Sequence, residues 1–174
     1  MTQSLQPLEP PYSPEVEQAL SAYPRRDGYL LTLFRVFANS RRFVSGKGVL
    51  NLLDRDSPLP LRERELVILR TCANLRCSYE WGVHVAGFAG AASLSRAQYL
   101  DTAPGDPDPA LWPARERALL AVVDALCGDA RLTGATLAAF EAGWSVEQQL
   151  EVLALCGNYH TISFVANVSG IPDE

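Results

Sequence analysis

LRERELVILRTCANLRCSYEWGVHVAGFAGAA, residues 61–92, reads as two helices with one break between them. The first, Leu61–Ala73, opens on alternating charges and runs into Leu66, Val67, Ile68 and Leu69, which predicts that its second half is buried. Ser57-Pro58-Leu59-Pro60 just ahead reads as a stop followed by a start, with Pro60 suited to a first helical turn. Asn74–Arg76 is the break, because asparagine tolerates the left-handed conformation that ends a helix. The second helix, Cys77–Ala92, carries Cys77, Glu80 and His84 at offsets that return to one face, given ~100° per residue.

Outward from this stretch the periodicity stays helical, and no convincing alternating strand is read. Upstream lie a Pro-rich arm over 1–14 and helices over Glu15–Tyr23, Tyr29–Ala38 and Arg42–Leu53, with Leu30, Leu33, Phe34 and Phe37 on one inner face. Gly46 and Gly48 weaken the third of these. Downstream, Ser95-Arg96-Ala97-Gln98 resembles a capping box opening a short helix. Residues 102–113 hold four prolines and a glycine and form an internal linker. Helices follow over Pro113–Cys127 and Thr133–Ala142. A second capping box, Ser145-Val146-Glu147-Gln148, opens a long last helix to about Ser169. That helix is apolar on most sides from Val152 to Val168, as at a bundle centre or a subunit interface.

The 174 residues, 48% hydrophobic and 20% charged, predict one globular domain over 1–174 with a sizeable core. A net charge of −5 and a pI near 5.1 remove the basic footprint of a nucleic-acid binder and a polybasic membrane contact. No signal peptide and no membrane span is read, so a cytoplasmic setting is expected. Four cysteines at 72, 77, 127 and 156 are too scattered for a disulfide scaffold, and no CxxC or short His pair suggests structural zinc.

The site candidates are Cys77, Glu80, His84 and Glu65, each with a bland reading beside the chemical one. A free cysteine is commonly a small buried hydrophobe. At a helix N-terminus, however, the macrodipole favours a thiolate and lowers the thiol pKa. With Cys77 at the N-cap, Glu80 is at N3, where a capping acid satisfies free backbone donors. It also lies four residues from His84, close enough to orient an acid/base pair. His84 alone is an ordinary core histidine, one of only two in the chain. Glu65 shares a face with Leu69 and Cys72, and a carboxylate on an apolar face needs a partner such as His84 or Cys77. Trp81, Tyr159 and His160 are candidate substrate contacts, with packing as the bland reading. Arg76 is the nearest cation for an anionic substrate, and an exposed arginine is its bland reading.

Arg62–Leu69 followed by Cys77-Ser78-Tyr79-Glu80-Trp81-Gly82-Val83-His84 resembles the carboxymuconolactone decarboxylase and alkylhydroperoxidase D-like superfamily. Gly157–His160 and Phe164–Asn167 are similar to that family's last helix. The resemblance implies an all-α bundle of about eight to nine helices, assembled as a homo-oligomer, trimer or hexamer, that acts on a small-molecule substrate. It implies no metal or organic cofactor. In the peroxidase branch a glutamate precedes a CxxC-xxx-His motif, which would map to Glu65, Cys77 and His84. The second cysteine falls on Glu80, and a carboxylate cannot resolve a sulfenic acid. The expectation is therefore decarboxylase-like acid/base chemistry on a lactone or carboxylate. Thiol-dependent hydroperoxidase activity through Cys77 is the alternative, and a non-catalytic helical oligomer the second alternative.

Overall fold

The computed structural model describes residues 7–39, 44 and 57–174, which fall into two compact units. Among the described residues there are eight helices: α1 Pro14–Leu20, α2 Thr32–Phe37, α3 Leu61–Asn74, α4 Ser78–Phe88, α5 Arg96–Asp101, α6 Ala114–Asp129, α7 Gly134–Gly143 and α8 Val146–Ser169. The all-α reading holds. The helix expected over 42–53 lies, Val44 aside, outside the described residues.

One unit holds α1, α2 and residues 164–172. Ser13 caps α1 by accepting from the Val16 N–H, and Pro14 takes the first turn. Leu30, Leu33, Phe34 and Phe37 are all buried, as their shared face predicts. The Tyr23 ring packs on Phe34 with centroids 4.4 Å apart. Two short strands, β1 Arg25–Arg26 and β2 Tyr29–Leu30, depart from the helical reading of Tyr29. They pair antiparallel around Asp27–Gly28, whose φ values of 51° and 83° are those of a tight hairpin turn. The Asp-Gly pair carried that signal.

The other unit holds α3 to α7 and α8 as far as Ser163. Leu66, Val67, Ile68 and Leu69 of α3 are fully buried, with α4 and α6 packed against this helix. Leu119, Leu120, Val122 and Val123 of α6 and Val152, Leu155 and Ile162 of α8 complete the core. Both capping boxes form. Ser95 and Gln98 exchange bonds of 3.1 and 3.3 Å, and Ser145 and Gln148 exchange two of 3.2 Å.

Charged side chains inside this unit are paired. The Arg70 guanidinium, 2% exposed, grips Asp124 through Nε and Nη2 at 2.6 and 2.8 Å. It also donates to the carbonyls of Thr102, Ala103 and Gly105, fastening the 102–113 linker to α3 and α6. Buried Glu63 takes Arg115 on one side and the Trp144 indole N–H at 2.7 Å on the other. Arg70→Met takes that donor from three carbonyls and leaves Asp124 with only the Asn74 amide, so the variant is expected to lose roughly 2–4 kcal/mol. Urea denaturation measures this, and a loss under about 0.5 kcal/mol, the scale of ordinary surface changes, would contradict that role for Arg70.

Candidate active site

The turn between α3 and α4 sets the geometry of the site. Arg76 takes the left-handed conformation at φ 54°, its N–H bonds the Ala73 carbonyl at 3.0 Å, and the Cys77 N–H bonds the Cys72 carbonyl at 2.9 Å. This double closure ends α3 and starts α4 within three residues. The left-handed residue is thus Arg76 and not Asn74, whose amide instead donates to Asp124 at 2.8 Å. Arg76 points to solvent.

Cys77 is the N-cap of α4 and Glu80 its N3 residue. The capping-box role of Glu80 is closed off, because the N–H it would satisfy is already bonded to Cys72. Its carboxyl is buried instead, with Oε2 3.8 Å from His84 Nε2. That separation exceeds hydrogen-bond range, so Glu80 is not the residue that orients the imidazole.

Glu65 orients it. Its Oε2 lies 2.7 Å from His84 Nδ1, with both side chains buried. On the opposite side the Tyr159 hydroxyl, from α8, lies 3.0 Å from Nε2. A carboxylate oxygen only accepts, so Nδ1 carries a proton, and in the neutral imidazole Nε2 then accepts from Tyr159. The ring is further held by Phe88, stacked at 5.1 Å and 27°, and by the edge of Tyr159 at 5.2 Å and 80°. Phe88 is itself 42% exposed, so a half-open aromatic covers an imidazole that is only 8% exposed.

Burial controls the protonation of the surrounding groups. It lifts the Glu80 carboxyl above the usual carboxylate range, an effect opposed by His84 and reinforced by Glu174. It holds the Tyr159 hydroxyl well above its ordinary value, with the nearby Glu80 charge adding to the effect. It also pushes up the Cys77 thiol, against the pull of the Glu80 backbone N–H and the Ser163 hydroxyl. The lowering expected from the helix N-terminus is therefore reversed in direction. Desolvation of a side chain 1% exposed outweighs the dipole.

The other candidates divide. Tyr159 joins the constellation. Trp81 is engaged elsewhere, donating its indole N–H to Thr102 at 2.9 Å and packing edge-on to Tyr99. His160 turns Nδ1 to the Cys156 carbonyl one turn back, at 2.7 Å. Sequence reasoning missed Phe88 as a partner of His84, and Ser163, which comes to Cys77 from a distant helix. The i, i+4 spacing of His84 and Phe88 was a signal for the first. Among the described residues no three His, Cys, Asp or Glu side chains are grouped to hold a metal ion.

Residues 47–125, just under half of the chain, match the carboxymuconolactone decarboxylase family. The matched segment contains Glu65, Cys77, Glu80 and His84 and stops short of Tyr159. No curated protein matches the chain. The matched segment carries the whole α3–turn–α4 arrangement inside an all-helical fold, and over that segment the chain is similar to the carboxymuconolactone decarboxylase family, consistent with the wider alkylhydroperoxidase D-like superfamily.

Proposed function

We propose that this protein is a small-molecule enzyme that moves protons, and that its reaction is decarboxylase-like, on an unsaturated lactone or carboxylate. The observation that carries the reading is the buried relay in which Glu65 fixes the His84 proton on Nδ1 and directs Nε2 toward Tyr159. Such a carboxylate–imidazole pair holds one tautomer and stabilises the imidazolium when Nε2 takes up a proton. Loss of carbon dioxide beside an unsaturated lactone leaves the bonding electron pair as a dienolate. Catalysis then requires stabilisation of that oxygen and delivery of a proton to carbon.

The residues divide that work. Tyr159, kept as a hydroxyl by burial, turns its one O–H from His84 Nε2 to the developing oxyanion as that nitrogen takes up a proton. Glu80, which retains its proton above the usual carboxylate range, is the acid that returns a proton through His84. Glu65 is a positioning residue. Chemistry of this kind calls for no organic cofactor. Turnover of hydroperoxide through Cys77 is the weaker reading, since its thiol is buried and pushed up.

Assembly as a homo-oligomer, trimer or hexamer, belongs to the same proposal. It is supported by Leu150 and Leu153, three residues apart on α8 and 62% and 41% exposed. The net charge of −5 argues against nucleic acid as a partner. Among the described residues no helix is long and apolar enough to cross a membrane, and a cytoplasmic setting is proposed on the composition of the chain.

Against a panel of unsaturated lactone carboxylates, His84→Gln is expected to lower turnover by about 10²–10⁴-fold, while Cys77→Ser changes it by less than about tenfold. Hydroperoxide consumption abolished by Cys77→Ser, with no lactone turnover in the parent, would overturn the proposal.

A separate prediction concerns pH. A general acid must be protonated, so turnover falls on the alkaline side as Glu80 ionises. Because burial raises that pKa, the fall comes above the ordinary carboxylate range. The same sign governs stability. The contribution of neutral Glu80 is present at low pH and is lost as pH rises through its folded-state pKa. Glu80→Gln is therefore expected to lose turnover by about 10²-fold or more, yet to gain stability relative to the parent as pH rises. Chemical denaturation across pH decides, and a parent that grows more stable than Glu80→Gln toward alkaline pH would contradict the assignment.

A further inference from the structure

We propose that Cys72 and Cys77 are an oxidisable dithiol, which a hydroperoxide closes to a disulfide across the turn between α3 and α4. The 2.9 Å bond from the Cys77 N–H to the Cys72 carbonyl fixes their separation. With ordinary bond lengths it keeps the two Cα atoms within about 7 Å, the outer limit for a disulfide. In a helix ending of this type, the residue after the left-handed one also packs its side chain against the residue it hydrogen-bonds. Both side chains are buried, at 0% and 1% exposure.

A third group marks the place. Ser163 of α8 is fully buried and its hydroxyl makes no well-formed hydrogen bond. That oxygen is near enough to both sulfurs to favour their ionised forms, although burial still holds each of them as a thiol. A buried hydroxyl left to two sulfurs is a local environment for thiol chemistry, not for apolar packing. The pair also differs in kind from a dithiol on one helix. The partner of Cys77 comes through the turn from the preceding helix, while Glu80 fills the position three residues on.

Cys127 and Cys156 form an internal comparison. They too share a hydroxyl, that of Thr71, which lies 3.7 Å from the Cys156 sulfur. They stand on α6 and α8, however, with no backbone bond between them to fix their separation.

The reaction is balanced within the dithiol and one peroxide. Cys77 lies beside exposed Arg76 and Ser78 and is the first sulfur reached when the turn opens locally. It attacks a peroxide oxygen, the O–O bond breaks, an alcohol or water leaves, and Cys77 becomes a sulfenic acid. The Cys72 sulfur then displaces its hydroxyl as water and the S–S bond forms. Two thiol protons and two electrons pass to one peroxide. Burial makes this a slow, stoichiometric and reversible modification, distinct from the acid–base turnover proposed above.

Trypsin cuts after Arg70, Arg76 and Arg96, so the two cysteines fall on the separate peptides 71–76 and 77–96. Folded protein is treated with hydrogen peroxide, its free thiols are alkylated after denaturation, and it is digested without reduction. The expected result is that two of the four thiols are lost to alkylation, with 71–76 joined to 77–96 and separated again by a dithiol reductant. Cys72→Ala and Cys77→Ser each abolish the link, and Cys127→Ser leaves it intact. Should either variant fail to fold, the peptide map of the parent decides alone. A Cys77 sulfinic acid with Cys72 still alkylated, a link confined to Cys127 and Cys156, or four free thiols at a peroxide dose that oxidises a cysteine peptide would each overturn the proposal.

Discussion

The buried hydrogen bond between Glu65 and His84 is the interaction on which the site depends. A carboxylate 2% exposed has lost most of its hydration, and nothing in the apolar run that follows it on α3 can replace that water. The imidazole on α4 does so at 2.7 Å. In return the imidazole gains a fixed tautomer and a fixed plane, with Phe88 and Tyr159 as its walls. Neither side chain is comfortable in the interior without the other, so the pair holds α3 and α4 at one separation while setting the chemistry.

Whether such a site moves protons or electrons depends on where desolvation falls. Burial acts on Glu80 and on Cys77 in the same direction, raising both pKa values and so favouring the neutral form of each. For a carboxyl the neutral form is the useful one, because it is an acid. For a thiol the neutral form is the inert one, because the thiolate is the nucleophile. One environment thus favours the acid and suppresses the thiol. The oxidisable pair across the α3–α4 turn is consistent with this, since a slow modification requires only occasional opening of the turn.

Much of the arrangement was legible along the chain. The apolar run Leu66–Leu69 announced a buried helix, and the offsets of Cys77, Glu80 and His84 announced a shared face. Both capping boxes formed where Ser95 and Ser145 stand. What could not be read were distances between elements. Glu80 is nearer to His84 in sequence, yet Glu65, nineteen residues away, makes the hydrogen bond. Tyr159, seventy-five residues away, supplies the other. Periodicity gives the face of a helix but not which neighbour lies across from it. The αL position was misplaced onto Asn74 because propensity favoured it. The chain instead puts Arg76 there, where closure of the turn outweighs the cost of about 1–2 kcal/mol for a residue with a Cβ. The upward shift of the Cys77 thiol could not be read for a related reason, since the helix dipole is visible in a sequence and the depth of burial is not.

Glu65 fixes the proton of His84 on Nδ1 and leaves Nε2 of the neutral ring to accept from Tyr159. With only two histidines in the chain, nitrogen NMR of protein labelled in its imidazole rings tests this directly, and a His160→Gln variant assigns the signals. The expected spectrum is that of a neutral His84 ring with Nδ1 protonated and strongly hydrogen-bonded, Nε2 unprotonated, and loss of that preference in Glu65→Gln. A neutral His84 protonated on Nε2, or one averaging freely between its two tautomers, would contradict it.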